Sequence, residues 1–269
     1  MTVPALGRQE RFTSVGSTND VVRGWLATGE PEICLAVADE QTAGRGRNGR
    51  TWTAAPGAGL LLSLGFRPTW LAPDHAWRLA ATVSLAMADA GEEVAGLPDG
   101  TIRLKWPNDL VIATDDGPTV RKLAGVLGET QGLGTDDPRV VVGIGLNADW
   151  SAADFPAELA PTMTSLRAAS GDRPVDLVLL LDAFTSRLET RIEALAGGRF
   201  DGAGWVERQV TTAHVIELVR PDGTVEAVLA RGVDDIGGGL RIAAPTDDDP
   251  DAELTILVGD IRHVRLAGV

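Results

Sequence analysis

Residues 44–50 read GRGRNGR, three arginines on a glycine-hinged segment inside a chain of formal net charge −14. Glycines let backbone N–H groups approach an anion closely, and arginines offer forked donors to a carboxylate or a phosphate. Arg45, Arg47 and Arg50 therefore point to an anion-binding loop rather than a solvated basic turn. The first six letters also fit the dinucleotide spacing G-x-G-x-x-G, but that loop needs a helix opening inside it and an acid about 20 residues later. Pro56 and Gly57 interrupt the chain here, and no acid occurs between positions 41 and 73. A Walker loop is excluded because no Gly-Lys-Ser/Thr follows.

Of the 24 basic residues only Lys105 and Lys122 are lysine. That bias marks two places where a compact ammonium is needed and a guanidinium will not serve. Lys105 opens KWPNDL (105–110), where Pro107 bends the chain between two strand-like runs. Asn108 and Asp109 sit at the tip within reach of a ligand, although Asn-Asp after proline is by itself also an ordinary turn. Lys122 opens the apolar run KLAG (122–125). GIGLN (143–147) carries two glycines in a strand, the pattern of close approach by a ligand or another backbone. His75, His214 and His263 are far apart and Cys34 is the only cysteine, which excludes a zinc-type cluster and an internal disulfide. The acidic balance argues against a nucleic-acid surface. No run nears the ~18 apolar residues of a membrane span, and the N-terminus lacks the basic start and apolar block of a signal peptide. These features together predict a reduced, cytoplasmic protein.

The elements that must hold these residues follow from periodicity. Ser17 to Asp20 fits a capping box, and Val21, Val22, Trp25 and Leu26 continue it as a helical stripe. ICLAVAD (33–39) reads as a buried strand leading into the arginine loop, and GLLLSLGF (59–66) as another. A small-residue helix is expected from Asp74 to about Ala90. TIRLKW (101–106), DLVIAT (109–114), KLAGVLGET (122–130) and RVVVGIGLN (139–147) read as four further strands, with TDDGPTV (114–120) as a surface hairpin turn. Residues 148–175 read as a long irregular loop of the kind that often serves as a lid. The apolar spacing from Leu177 to Leu195 predicts a long helix stopped by Gly197 and Gly198. From about 212, short strands and tight turns predict a small all-β unit, a five-stranded barrel. The expected division is 1–211 and 212–269.

STN at 17–19, ADEQTAGRGRNGRTW at 38–52, KWPNDL at 105–110, KLAG at 122–125 and GIGLN at 143–147, in that order, resemble the signature of the biotin protein ligases. MTSL at 163–166 and GDIRHVRL at 259–266 are similar to the same family's later landmarks. The likeness spans nearly the whole chain, and the combination is specific where each piece alone is weak. It implies an α+β fold: a mixed sheet with flanking helices like that of class II aminoacyl-tRNA synthetases, followed by a small SH3-like β-barrel. It also implies activation of biotin by ATP, with Mg²⁺, to biotinyl-5′-AMP. The biotinyl group would then pass to one lysine of a biotin carboxyl carrier protein domain of acyl-CoA carboxylases. A monomer or weak homodimer is expected, with no nucleic-acid or membrane partner.

Carried over by resemblance, Ser17, Thr18, Asn19, Gln41, Gly44, Arg45, Gly46, Arg47, Lys122, Gly125 and Gly143 serve biotin. Arg47, Arg50, Trp52, Lys105, Asn108, Asp109 and Asn147 serve the nucleotide, with Asp109 facing Mg²⁺. Arg45, Lys122 and Asp109 are the implied catalytic set. Asn48 replaces a further basic residue common in the family, and the adenine-covering segment within 148–166 is left unassigned. STN begins at residue 17, which leaves no room ahead of it for a DNA-binding domain of about 60 residues and implies a ligase of single function. The arginine loop is expected to act as a clamp that orders when an anion gathers its three cations. Two rivals stand beside this reading. A lipoate ligase would share the fold but differs in its arginine–glycine signature, and a non-catalytic nucleic-acid module is opposed by the acidic charge.

Overall fold

The structure is a computed structural model that describes residues 6–114, 119–246, 248–261 and 263–266. Residues 115–118 of the expected TDDGPTV turn and Arg262 of GDIRHVRL lie outside the described residues. Along the chain run β1 (Gln9–Phe12), α1 (Thr18–Ala27), β2 (Cys34–Ala38), β3 (Gly59–Phe66), α2 (Trp77–Ala95), β4 (Ile102–Lys105), β5 (Asp109–Ala113), β6 (Val120–Gln131) and β7 (Arg139–Asn147). Then come α3 (Leu166–Ala169), α4 (Leu177–Ala196), α5 (Gly202–Glu207), β8 (Val215–Val219), β9 (Val225–Val233), β10 (Leu240–Ala243), β11 (Glu253–Ile256) and β12 (His263–Leu266). The first seven strands form one sheet in the order β1-β2-β3-β7-β6-β5-β4, antiparallel except for the parallel pair β1–β2.

Side chains alternate across a strand, and in β7 that alternation separates two chemistries. Val140, Val142, Ile144 and Leu146 face the main apolar core, packed with α2 and α4. Gly143 and Gly145 fall on the other face, together with Val141, which packs with Val22, Trp25 and Leu26 of α1. α1 can lie close to the sheet because Gly65 has no side chain: a Cβ there would be 2.6 Å from Cys34 Sγ and from Val22. Burial pushes the Cys34 thiol up to about 11. α4 starts where the Asp176 carboxylate accepts the free N–H groups of Val178 and Leu179. Its buried Leu180, Phe184, Leu188, Ile192 and Leu195 follow helical spacing. Among the described residues no helix is long and apolar enough to cross a membrane.

The C-terminal strands correct the barrel expectation. β8 to β12 form a five-stranded antiparallel sheet in the order β11-β10-β9-β8-β12, open, among the described residues, between its end strands β11 and β12. Closure is not needed to bury its apolar face. Ile216, Leu218, Ala230, Leu240, Ile242, Ile256 and Val264 join the same apolar cluster as α2, α4 and Trp205 of α5. Trp77 is wedged against Gly238, where a Cβ would lie 2.5 Å from the indole. The sheet is capped by the rest of the molecule instead of by its own far edge.

Candidate functional site

On the α1 face of the large sheet lies a trough whose floor lacks side chains. Gly125 of β6 pairs with Gly145 of β7, and Gly143 stands between Leu127 and Ser63 on the flanking strands. The close approach is what requires glycine. A Cβ on Gly145 would sit 2.5 Å from Trp52 Cε2, and one on Gly143 would fall 3.0 Å from Asn19 Cγ. Trp52 lies on this floor with Lys122 Nζ 5.5 Å from its ring centre, and its buried Nε1–H has no acceptor among the described residues. The space left over is about 100 Å³, below the ~300–1,000 Å³ usual for ligand pockets.

One end of the trough is rich in acceptors. Gln41 Oε1 accepts the backbone N–H of Thr18 at 2.8 Å and lies 3.0 Å from Thr18 Oγ1. Ser63 Oγ is 2.7 Å from Thr18 Oγ1 and 2.6 Å from Asn19 Oδ1. Asn19 Nδ2 donates to Glu129 Oε2 at 2.6 Å. Gln41, Thr18, Ser63 and Asn19 thus form a chain of three oxygen–oxygen contacts bounded by two amide oxygens. A hydroxyl carries one hydrogen, so two hydrogens serve three contacts and one contact always lacks a donor. Ser17 caps α1 without a side-chain cap bond, and its buried side chain lines the trough beside Thr18. The expected capping box is therefore absent as a side-chain bond.

The other end is rich in cations. Lys122 Nζ meets Asp109 Oδ1 at 2.6 Å. Arg45, by contrast, stands beside the acceptor end: it forks onto the two Asp20 oxygens at 2.7 and 2.8 Å, with Nη2 3.8 Å from Glu129 Oε2, and this guanidinium holds the Asp20 carboxyl below the usual carboxylate range. Arg47 reaches the carbonyls of Val258 and Ile261 at 3.0 and 3.3 Å, tying the loop to the C-terminal sheet. Burial lowers Arg47, and Asp109 opposes that shift. Burial likewise pushes Lys105 below the ordinary lysine range, only partly offset by Asp109. Two of the three loop arginines are thus already held by internal partners.

Most of the residues singled out from sequence meet in the trough: Ser17, Thr18, Asn19, Gln41, Arg45, Gly46, Arg47, Arg50, Trp52, Asn108, Asp109, Lys122, Gly125 and Gly143 all line it. Three do not. Gly44 lies beneath it, where a Cβ would be 2.5 Å from the Trp52 carbonyl oxygen. Lys105 lines an adjoining cavity of about 480 Å³, which shares Arg47, Asn108 and Asp109 with the trough and extends to Trp77 and Trp106. Asn147 is buried and spends its Nδ2 on the Thr164 carbonyl at 2.9 Å. Sequence reasoning missed Ser63, Asp20 and Glu129. Only Ser63 left a signal, as a lone hydroxyl in the apolar run GLLLSLGF.

Residues 12–147 match the sequence model of the biotin/lipoate A/B protein ligase family. The biotin–[acetyl-CoA-carboxylase] ligase of Mycobacterium tuberculosis is 31% identical over 253 residues, 93% of this chain and 86% of that protein. Its counterpart from Paracoccus denitrificans is 30% identical over 224 residues, 82% of this chain and 88% of that protein. In fold, the chain is similar to a biotin protein ligase from Aquifex aeolicus solved with biotin and ATP. The TM-score is 0.75 at 24% identity, covering 97% of this chain and 99% of that one. Match length, relatives and fold agree, and the chain belongs to the biotin/lipoate A/B protein ligase family as a biotin protein ligase.

Proposed function

We propose that this chain joins biotin to a carrier-protein lysine in two steps at the trough. The observation that carries the reading is the trough's polarity. A chain of acceptors short of one hydrogen lies at one end, cations lie at the other, and a side-chain-free floor connects them. Biotin matches both ends, with ureido N–H groups on its bicyclic head and a carboxylate on its tail. In the first step a carboxylate oxygen attacks the α-phosphorus of ATP, the bond to pyrophosphate breaks, and the mixed anhydride biotinyl-5′-AMP forms. In the second, the neutral amine of the acceptor lysine attacks the acyl carbon, AMP leaves, and the amine releases a proton to solvent.

Both partners of the first step are anions, so their repulsion must be cancelled and the developing charge met by fixed donors. Lys122 and Arg47 supply these at the reacting centre, with Arg50, Lys105 and Asn108 along the phosphates; Arg45 would join them on leaving its ion pair with Asp20. Asp109 holds Lys122 in place until the ligand's carboxylate arrives. Mg²⁺ fits this donor set as a one-carboxylate ion completed by nucleotide phosphates, since the Asp109 carboxylate lines the trough among its cations. Asp109 would hold it, and when bound it neutralises phosphate charge. Residues 1–211 form the catalytic unit in this reading, and 212–269 an appended β unit that touches the loop through Arg47. The acceptor is a lysine of a biotin carboxyl carrier protein domain.

Biotin-dependent exchange of pyrophosphate into ATP, without acceptor protein, tests the first step alone. Exchange that appears only with biotin and Mg²⁺ is the expected result; none, or exchange indifferent to biotin, refutes the proposal. Lipoate in place of biotin separates this chain from the lipoate ligases.

A further inference from the structure

Glu129 stands outside the roles above yet touches the residue at the trough's acceptor end. Its Oε2 accepts from Asn19 Nδ2 at 2.6 Å and from Arg23 Nη2 at 2.8 Å. An ionised carboxylate only accepts, so the Asn19 amide nitrogen has to face it. The Asn19 oxygen is thereby turned toward Ser63 and the floor at Gly143. Were Glu129 absent, the amide nitrogen would lose its acceptor there and only the donors of Arg23 and Arg45 would be left around that carboxylate's place. Half a turn would then aim an NH₂ into the trough, donor against donor for any ligand N–H.

We propose that Glu129 is a positioning residue for the ligation. Acting through Asn19, it fixes the amide so that an acceptor meets the ligand's ureido N–H. The proposal rests on the biotin-site reading. It also accounts for the two neighbouring contacts on the Glu129 carboxylate side. Arg23 grips both Glu129 and Asp20, at 2.8 and 2.6 Å, and Arg45 Nη2 lies 3.8 Å from Glu129. These cations hold the carboxylate in place, while Asn19 conveys its effect to the trough.

The test uses biotin and its two isosteric cyclic carbamates, each with one ureido N–H replaced by ring oxygen. Affinities are read by titration on the full chain, with melting temperature as a check on folding. Against wild-type protein, one carbamate sets oxygen against Asn19 Oδ1 and binds at least about tenfold more weakly than biotin, the scale of one hydrogen bond. In Glu129→Ala the amide can turn and donate to that oxygen, so the preference shrinks to within about threefold. Glu129→Gln can still present an oxygen to Asn19 and restores the wild-type ratio. Arg23→Ala, which removes the ion pairs to Glu129 and Asp20 but keeps the Asn19 contact, leaves the ratio unchanged. Equal weakening of all three ligands in Glu129→Ala, or the same collapse in Arg23→Ala, overturns the positioning role. A wild-type protein that binds biotin no better than either carbamate overturns the biotin-site reading itself, and the proposal with it.

Discussion

Replacing Gly143 by alanine probes the site at its tightest contact. The added Cβ would overlap Asn19 Oδ1, lying 3.0 Å from Asn19 Cγ and 3.2 Å from Ser63 Oγ. Ordinary carbon–oxygen contact begins near about 3.3 Å, so the amide must move. Two bonds go with it: the 2.6 Å donation to Glu129 and the 2.6 Å contact with Ser63. A charge-assisted bond contributes about 1.5–3 kcal/mol and a neutral one about 0.5–1.5, so the fold should lose roughly 2–4 kcal/mol. At ~2–4 °C per kcal/mol for a chain of this size, melting falls by roughly 5–15 °C. Biotin affinity should drop at least about tenfold, since the displaced oxygen is the acceptor proposed for it. Gly128→Ala is the control, because a Cβ there meets only Ala80 Cβ at 4.0 Å and should change stability by no more than ~0.5 kcal/mol. Thermal denaturation with and without biotin reads both effects. A Gly143→Ala protein that melts with the wild type and binds biotin equally would show that Asn19 yields freely, and the hydrogen-bond chain would not define the site.

Lys122→Arg should slow pyrophosphate exchange by ~10²–10³-fold. A planar guanidinium would replace the single Nζ that sits 2.6 Å from Asp109 Oδ1 beside Trp52, and near-normal exchange would sink this account. Lys105→Met should weaken ATP binding yet stabilise the fold by about 1 kcal/mol at neutral pH, because it removes a desolvated cation. The folded-state pKa of Lys105 is depressed by burial, so its penalty is full below that depressed value and fades as pH rises from it toward 10.5, the unperturbed lysine value. Urea melts at pH 7 and 10 should show the mutant's advantage shrinking. Glu92→Ala should cost about 3 kcal/mol in urea denaturation, since it strips the buried acceptor of Arg208 and of the Ile102 N–H. Exchange activity per folded molecule should survive, because Glu92 lines neither the trough nor the adjoining cavity.

The sequence carried the elements further than their assembly. RVVVGIGLN was expected at 139–147 and is β7 at those bounds, because a buried run flanked by polar residues leaves little choice. The helix expected over 177–195 is α4, set by its apolar stripe and the Asp176 cap. Periodicity reports which face of a strand is buried and says nothing about which edges meet, so the C-terminal strands were legible and their open order was not. The arginine loop and the glycine floor announced themselves by residue type. Glu129 could not, since its partner Asn19 is 110 residues away and a glutamate near the end of a strand reads as solvated charge. Lys105 was placed with the nucleotide residues, and the chain brings it to their border in the adjoining cavity.

With biotin lying along the trough as proposed, the glycine floor would also act as a measuring device. Gly143 marks the acceptor end and Gly145, two residues along the same strand, lies across from Gly125, the glycine beside Lys122 Nζ. Their separation of about 7 Å is set by the covalent rise of β7, and the hydrogen bonds to β3 and β6 keep that strand from stretching. A molecule with the right head but a tail one methylene longer or shorter could still occupy the acceptor end, while its carboxylate would miss the lysine. Length selection in this enzyme would then appear as slow adenylation by a bound ligand rather than as failure to bind, and no wall at the far end would be needed to enforce it.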